Sequence, residues 1–304
     1  DRSSTTSPSD ICDGGTFNYT ATSATAGSTF SWSRATVAGI TEAGTTGTGN
    51  VSETLSNSTT GSIDVTYVYT STANSCSNGG ENVIVTVNPT PNLSSTTNPA
   101  DICAGATFTY TATSATGGAT FAWSRATVAG ITEAGTTGTG GVSETLSNST
   151  NASIDVTYAY TTTANTCANS GENVIVTVNP TPTLSSSTSP STICSGTSFT
   201  YTPTGNVAGS SFTWSRSTNA DITEATTTGT GGVNEVLTST SANNVNVTYV
   251  YTSTANGCSN DENVIPVVRP NPQGSFTGNT RCAGNAASFG QLTWTATCLL
   301  YTSD

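Results

Sequence analysis

The sequence predicts an all-β protein of tandem immunoglobulin-like β-sandwiches set in an extended rod. Three observations predict it. A 91-residue unit recurs along the chain: Cys12, Cys103 and Cys194 are 91 apart, and so are Trp32, Trp123 and Trp214, and Cys76, Cys167 and Cys258. Within each unit, short runs alternate apolar and polar residues and are separated by Gly- and Asn-rich turns, which is the pattern of half-buried strands. No stretch carries the 3.6-residue period of an amphipathic helix. Residues 1–91 and 92–182 align without a gap and match at 73 of 91 positions, whereas the third copy has one residue fewer after Cys258. A unit of this length is too long for a solenoid repeat and is the size of a small domain with its own core.

The second copy serves to place the strands in order. Strand A is predicted near Leu93 to Thr96, and strand B over Thr107 to Thr113, where Phe108 and Tyr110 alternate with threonines. Strand C runs from Ala119 to Arg125 and puts Phe121 and Trp123 on one face. A short strand lies near Ile131, and strand E covers Val142 to Ser147. Strand F, "SIDVTYAYT", sets Ile154, Val156, Tyr158 and Tyr160 on one face, and strand G spans Glu172 to Val178. Seven short strands with a tryptophan on the third suit an immunoglobulin-like sandwich, with Trp32, Trp123 and Trp214 as core residues. Each copy ends in prolines, "VNPTP" at Val87 to Pro91 and Val178 to Pro182 and "VRPNP" at Val268 to Pro272. Proline fixes φ and removes a donor, so the last strand stops there and the spacer is short and stiff. The expected organisation is 1–91, 92–182 and 183–270 as three repeats, with 271–304 as an incomplete fourth repeat or a strand-donating tail.

Composition narrows the function. The six cations are all Arg and face eighteen Asp and Glu, for a net charge of -12. A nucleic-acid binder needs a basic footprint, and an anionic lipid surface would repel this chain. Charged residues make up only 8%; Thr, Ser, Asn and Gly take their place, and Thr suits a pleated surface. The chain has no apolar run of the ~20 residues that cross a bilayer as a helix. No signal peptide is visible at Asp1, so a mature product or a fragment is expected. Eight cysteines and no histidine point to disulfides in an oxidising compartment, extracellular or at the cell surface.

The order of motifs carries a resemblance. A Cys-x-Gly precedes strand B, Trp-x-Arg lies on strand C, strand F is rich in Tyr, a Cys follows "TAN", and "ENVIVTV" leads into "NPTP". This order is similar to that of PKD-like repeats (polycystic kidney disease-type domains) of large secreted and cell-surface bacterial proteins, of Bacteroidetes type. The resemblance covers residues 1–270 and implies an immunoglobulin-like fold and a stalk, adhesin or filament context. The acidic "WDFGDG" run of better-known PKD domains is absent; "WSRA" follows at Trp32 and Trp123, and "WSRS" at Trp214. Nothing tied to those acidic residues carries over.

Two disulfide schemes are open. In a sandwich of this kind the turn before strand B and the F–G turn lie at opposite poles, roughly 23 Å apart for seven strand residues. A disulfide needs Cα atoms within about 7 Å. The topology therefore favours bridges between neighbouring domains, Cys12 to Cys167 and Cys103 to Cys258. Cys194 then reaches forward to a following domain and Cys76 back to a preceding one. Bridges within a repeat, such as Cys12 to Cys76, are the alternative. The tail begins like another repeat, with "NTRCAGNAASF", and then loses the pattern. It is either truncated or pairs with another chain by strand addition.

Catalytic residues are scarce. Without His or Lys there is no Ser-His-Asp triad, no Cys-His pair, no Schiff base, no Ser-Lys dyad and no Lys–Asn crosslink. Paired carboxylates recur as Glu42 and Glu53, Glu133 and Glu144, and Glu224 and Glu235. A glycosidase needs such a pair across a cleft, but triplication along a repeat array argues for structure. Arg34, Arg125 and Arg216 recur two residues after each Trp and are expected to form structural ion pairs with one of those Glu, worth roughly 0–1 kcal/mol if exposed. No cofactor is expected. Calcium is the one metal weighed, at Asp10, Asp101, Asp221 and Asp261 near the joints, but these do not recur strictly and no Asp-x-Asp-x-Asp-Gly loop is present. Sequons such as Asn57-Ser-Thr and Asn148-Ser-Thr arise readily in a chain this rich in Ser and Thr.

The reading is an extracellular structural repeat protein, a stiff stalk, adhesin shaft or filament without catalysis. Its partners are neighbouring copies or further repeats of the same array. The scarcity of basic residues also leaves few trypsin-type cleavage sites. The alternative is a multivalent carbohydrate- or surface-binding adhesin array, with surface glycans as partners. That reading needs exposed aromatics, and Tyr19, Phe30, Trp32 and Tyr67 fall on core-like alternation.

Overall fold

The computed structural model describes residues 2–271. The expected fourth repeat or tail, 271–304, lies outside the described residues apart from Asn271. All regular elements among the described residues are strands. These residues fall in two compact units, one running to Ser147 together with Ile154–Val178, the other made of Asn148–Ser153 with the chain from Asn179 onward.

The first repeat contains β1 (Ile11–Cys12), β2 (Gly15–Tyr19), β3 (Thr29–Arg34), β4 (Thr45–Thr48), β5 (Val51–Leu55), β6 (Ile63–Ala73) and β7 (Cys76–Asn88). One sheet has the order β1-β7-β6-β3-β4, and β2 pairs with β5 in the second. Their facing sides make a core: Phe17, Tyr19, Val51 and Leu55 from the small sheet against Val65, Tyr67, Tyr69, Val83, Val85 and Val87 from the large one. Each inward set follows the period of two that the pleat dictates. The second repeat copies this with β8 (Ile102–Cys103), β9 (Ala106–Tyr110), β10 (Thr120–Arg125), β11 (Thr136–Thr139), β12 (Val142–Leu146), β13 (Ile154–Ala164) and β14 (Cys167–Asn179). Its core holds Phe108, Tyr110, Val142, Leu146, Val156, Tyr158, Tyr160, Val174, Val176 and Val178.

The third repeat has β15 (Ile193–Cys194), β16 (Thr197–Tyr201), β17 (Ser211–Arg216), β18 (Thr227–Thr230), β19 (Val233–Leu237), β20 (Val245–Asn246), β21 (Tyr249–Ala255), β22 (Cys258–Val264) and β23 (Val267–Arg269). Its last hairpin is broken where Pro266 stands in the place of Val176. Proline cannot donate to a ladder; its carbonyl instead accepts from the Val247 amide at 3.0 Å. The residue missing after Cys258 also has a structural meaning. In the first two repeats the β6–β7 and β13–β14 ladders slip by one residue, after Tyr69 and after Tyr160. The unpaired residues there are Gly80 and Gly171, with φ of 86° and 87°, a bulge that requires glycine. The third repeat has no such residue, and Tyr249–Ala255 pairs with Cys258–Val264 without a shift.

The structure differs from the expected strands in several places: the short strand expected near Ile131 is an isolated bridge, and strand B stops at Tyr110 instead of Thr113. Strand A makes only one isolated bridge, Leu93 with Ser114. The Ser and Thr hydroxyls there bond locally instead, as when Ser95 Oγ meets the Tyr110 hydroxyl at 2.6 Å and accepts from the Thr113 amide at 3.3 Å. The two-residue strands are an unexpected element; β1 lies parallel to the end of β7, with Ile11 opposite Val87. A strand is added beside β10, namely β11, whose "TTGT" has no apolar residue to announce it. Strands F and G extend well past their expected ends to a two-residue turn, Asn165–Thr166, with φ of 48° and 66°. Both values lie in the left-handed region, as a type I′ hairpin demands.

Candidate functional site

Two arrangements recur in the repeats, an arginine cluster inside each sandwich and a turn-to-turn joint. In the second repeat, β10 ends at Arg125, whose side chain enters between the sheets and is 1% exposed. Its Nε donates to Glu144 Oε2 at 3.0 Å and its Nη2 to Oε1 at 3.3 Å. The same guanidinium donates to the carbonyls of Ala134 at 2.6 Å and Glu133 at 3.3 Å. The Tyr158 hydroxyl donates to Glu144 Oε2 at 2.6 Å. Planar guanidinium and carboxylate match in this two-point geometry. Arg34 with Glu53 and Tyr67, and Arg216 with Glu235 and Tyr249, repeat it. The cluster ties β10, β12, β13 and the loop before β11 to one cation. Burial, outweighed by the hydrogen bond and charge of Glu144, leaves the Arg125 guanidinium above its ordinary value. Burial and then the hydrogen bond to Glu144 push the Tyr158 phenol well above its ordinary value. These arginines are thus buried ion pairs, not exposed ones, and the 0–1 kcal/mol expected for an exposed pair does not apply.

The second carboxylate of each expected pair does other work. Glu133 Oε2 accepts from the Ser147 amide at 2.8 Å and Oε1 from the Thr132 hydroxyl at 2.8 Å. Burial raises its pKa, but these hydrogen bonds outweigh it and hold the carboxyl at about 2. With Glu144 on Arg125 and Glu133 on its own loop, the pair is occupied by internal partners rather than aimed across a cleft.

Trp123 is half-buried at the core edge and not enclosed. It stands opposite Gly138 on β11 and edge-on to Tyr158 with ring centroids 5.4 Å apart. A Cβ on Gly138 would lie 2.4 Å from Cζ2 of the indole, so only glycine lets the ring lie flat over the strand. Trp32 over Gly47 and Trp214 over Gly229 do the same.

Among the described residues no group of three His, Cys, Asp or Glu could hold a metal ion. Asp10 Oδ2 accepts from Asn88 Nδ2 at 3.5 Å, and Asp261 Oδ1 accepts from the Thr252 hydroxyl at 2.6 Å. The sequon residue Asn57 is 5% exposed, and its amide donates to the carbonyls of Gly61 and Val87, both at 2.8 Å. Asn148 donates to Ala152 at 2.7 Å. Both amides point inward and shape a turn.

The joint lies within the first unit. Of the two schemes open to Cys12, the structure has the bond to Cys167, with Cα atoms 5.6 Å apart and 155 residues between them in sequence. Cys12 ends β1, at the turn before β2; Cys167 begins β14, at the tip of the β13–β14 hairpin. Cys76 is a free, exposed thiol, which excludes the Cys12–Cys76 alternative. Cys103, Cys194 and Cys258 are disulfide-bonded as well. Three hydrogen bonds and one linker contact set the joint around the disulfide. Asn88 Nδ2 donates to the Asn165 carbonyl at 3.2 Å, and Asn165 Nδ2 donates to Ser62 Oγ at 3.3 Å. Ser62 in turn donates to Asn88 Oδ1 at 2.6 Å. The Thr90 hydroxyl, in the Pro-x-Pro linker, donates to Asp13 at 3.1 Å. Closing so long a loop removes about 5 kcal/mol of chain entropy from the unfolded state. The second unit contains the same turn contacts: Asn179 Nδ2 donates to the Asn256 carbonyl at 3.0 Å, and Asn256 Nδ2 to Ser153 Oγ at 3.3 Å. Sequence reasoning missed the asparagines, although their signal was there: Asn74, Asn165 and Asn256 share the 91-residue period, as do Asn88 and Asn179.

No curated protein matches the chain. Among solved structures, three immunoglobulin domains of titin in an E-to-A mutated variant are 14% identical, with 88% of this chain and 96% of that one covered at a TM-score of 0.43. Extracellular domains 3–5 of Drosophila OTK are 11% identical, with 88% and 94% covered at 0.31. An endo-fucoidan hydrolase of glycoside hydrolase family 107 is 13% identical, with 86% of this chain but 43% of that one covered at 0.25. None of the three reaches a TM-score of 0.5. The pattern of the PKD-like domain matches residues 9–91 and 191–273, together more than half of the sequence. With the sandwich cores, the Trp-x-Arg strand and the stapled turn all in place, the chain belongs to the PKD-like domain family.

Proposed function

We propose that this protein is an extracellular structural array, a stalk, adhesin shaft or filament that holds shape by stapling successive sandwiches and carries out no catalysis. One observation carries the reading: the disulfide between Cys12 and Cys167 joins a turn of one repeat to the hairpin tip of the next. Such bonds persist in oxidising compartments, which supports a site outside the cytoplasm. The Pro-x-Pro linker adds stiffness to the same joint. The low charge and the Ser- and Thr-rich outer faces suit a surface made to last rather than to bind one ligand. A glycan-binding array is the weaker reading, because each repeated tryptophan is spent on covering a glycine of its own sheet. Small-angle X-ray scattering of the native chain and of a Cys12→Ser/Cys167→Ser variant tests the proposal. The variant is expected to scatter as a broader set of conformers. Superimposable curves would refute a staple that governs stiffness, and micromolar affinity of the native chain on a glycan array would favour the second reading.

A further inference from the structure

The hairpin tip is present in three copies, and two of them are engaged in the same way. At Asn165–Cys167, the carbonyl of Asn165 accepts from Asn88, its Nδ2 donates to Ser62, and Cys167 is bonded to Cys12. At Asn256–Cys258, the carbonyl accepts from Asn179, Nδ2 donates to Ser153, and Cys258 is disulfide-bonded. Engagement leaves a mark in burial. Cys167 and Ala164 are 2% and 4% exposed, and Cys258 and Ala255 are 3% and 6% exposed. The first copy has the same turn, with Asn74 and Ser75 at φ of 50° and 65°. There Cys76 is exposed and free, and Ala73 is only half-buried. Beside it lies a shallow open depression lined by Thr25, Ser28, Ser71, Ala73, Asn74 and Cys76.

We infer that the Asn74–Cys76 turn is a receptor for one kind of partner, a further PKD-like sandwich standing one place ahead in the array. This rests on the structural reading above and names the neighbour that the turn would join. The partner is identified by chemistry. It presents a cysteine in an Ile-Cys-x-Gly turn ahead of its second strand, and an Asn at the end of its last strand to donate to the Asn74 carbonyl. It also carries a Ser hydroxyl to accept from Asn74 Nδ2. Both engaged turns take their Asn and Ser partners from the repeat immediately before them, and Cys167 takes its cysteine there too, which favours that source over a second molecule. The bond forms when the Cys76 and partner thiols give up two protons and two electrons to a protein disulfide donor, whose own disulfide is reduced to two thiols.

The test prefixes a duplicate of residues 1–91 to the whole chain, so that a tethered sandwich offers its thiol at an effective concentration of order millimolar. After oxidation, iodoacetamide labelling and non-reducing peptide mapping are read on the parent and the extended chain. In the parent, Cys76 carries the label. In the extended chain Cys76 is expected to lose the label and to link to the duplicate's copy of Cys12. The free thiol passes to the duplicate's copy of Cys76. A Cys76→Ser variant of the extended chain is expected to leave the duplicate's copy of Cys12 labelled, and it guards against misfolding of the added unit. If Cys12–Cys167 is present while Cys76 stays labelled, the receptor is refuted and the stapled array stands. If Cys12–Cys167 is itself absent, the underlying reading fails. Disulfide-linked dimers of the parent through Cys76 would overturn the assignment to a neighbour in the same array.

Discussion

Glu144→Gln removes one charge from a cluster whose other partners stay in place. Arg125 is 1% exposed and Glu144 19% exposed, and two parallel hydrogen bonds of 3.0 and 3.3 Å join them. The amide keeps one acceptor for Nε or for Tyr158 but leaves the guanidinium without a counter-charge. Three backbone carbonyls, of Ala126, Glu133 and Ala134, then remain as its partners. Removing one member of a buried pair costs about 3–5 kcal/mol. A domain of this size shifts its midpoint by about 4–8 °C per kcal/mol, so the second sandwich is expected to melt roughly 12–40 °C lower. The cores of the first and third repeats contain neither residue, so their transitions should stay where they are. Differential scanning calorimetry of the full chain resolves this as one component leaving the group. The double variant Arg125→Met/Glu144→Leu, which removes both charges, is expected to recover most of the loss, since apolar replacements of buried pairs are often neutral or better. A shift below about 4 °C in the single variant would place the pair in the 0–1 kcal/mol range of exposed ion pairs and refute the cluster as a structural element.

Two further outcomes follow from the same geometry. Gly138→Ala sets a Cβ 2.4 Å from the Trp123 ring. The indole must be displaced at a cost of about 1–3 kcal/mol, seen as a lower denaturation midpoint with red-shifted tryptophan emission; unchanged emission and midpoint would contradict the stacked arrangement. Acid acts through Glu133, whose carboxyl is held at about 2 against an ordinary 4.5 by the Ser147 and Thr132 hydrogen bonds. A lowered folded value means that its contribution is full above 4.5 and is lost as pH falls toward 2. Urea midpoints of the parent and of Glu133→Gln should therefore converge over that window, and a gap that stays constant with pH would refute the linkage.

Much of the fold was legible because burial leaves a period. Phe108 and Tyr110, and Val156, Tyr158 and Tyr160, fall at every second position, with Thr or Ala between them, and face one core, and no competing helical pattern is present. The strand at Thr136–Thr139 was not legible, because its inward partner is a glycine under a tryptophan from another strand. The hairpin tip was hidden for a similar reason. Thr161 to Gly171 contains no large apolar residue, and its hairpin shape comes from backbone pairing and the Asn165–Thr166 turn. The arginine cluster was half legible. The period picks out Arg125 and two glutamates, but which carboxylate it meets depends on β12 lying beside β9 and facing β10 across the core. The asparagines of the joint carried the period and lacked any chemistry that marks them out in sequence.

The connectivity of Cys12 bears most directly on whether consecutive sandwiches are stapled. Non-reducing digestion of the thiol-blocked chain with a protease of broad specificity, followed by mass spectrometry, should recover a Cys12 peptide linked to a Cys167 peptide, with Cys76 carrying the blocking group. A Cys12 peptide linked to Cys76 would close each repeat on itself and remove the basis for a shape-holding array.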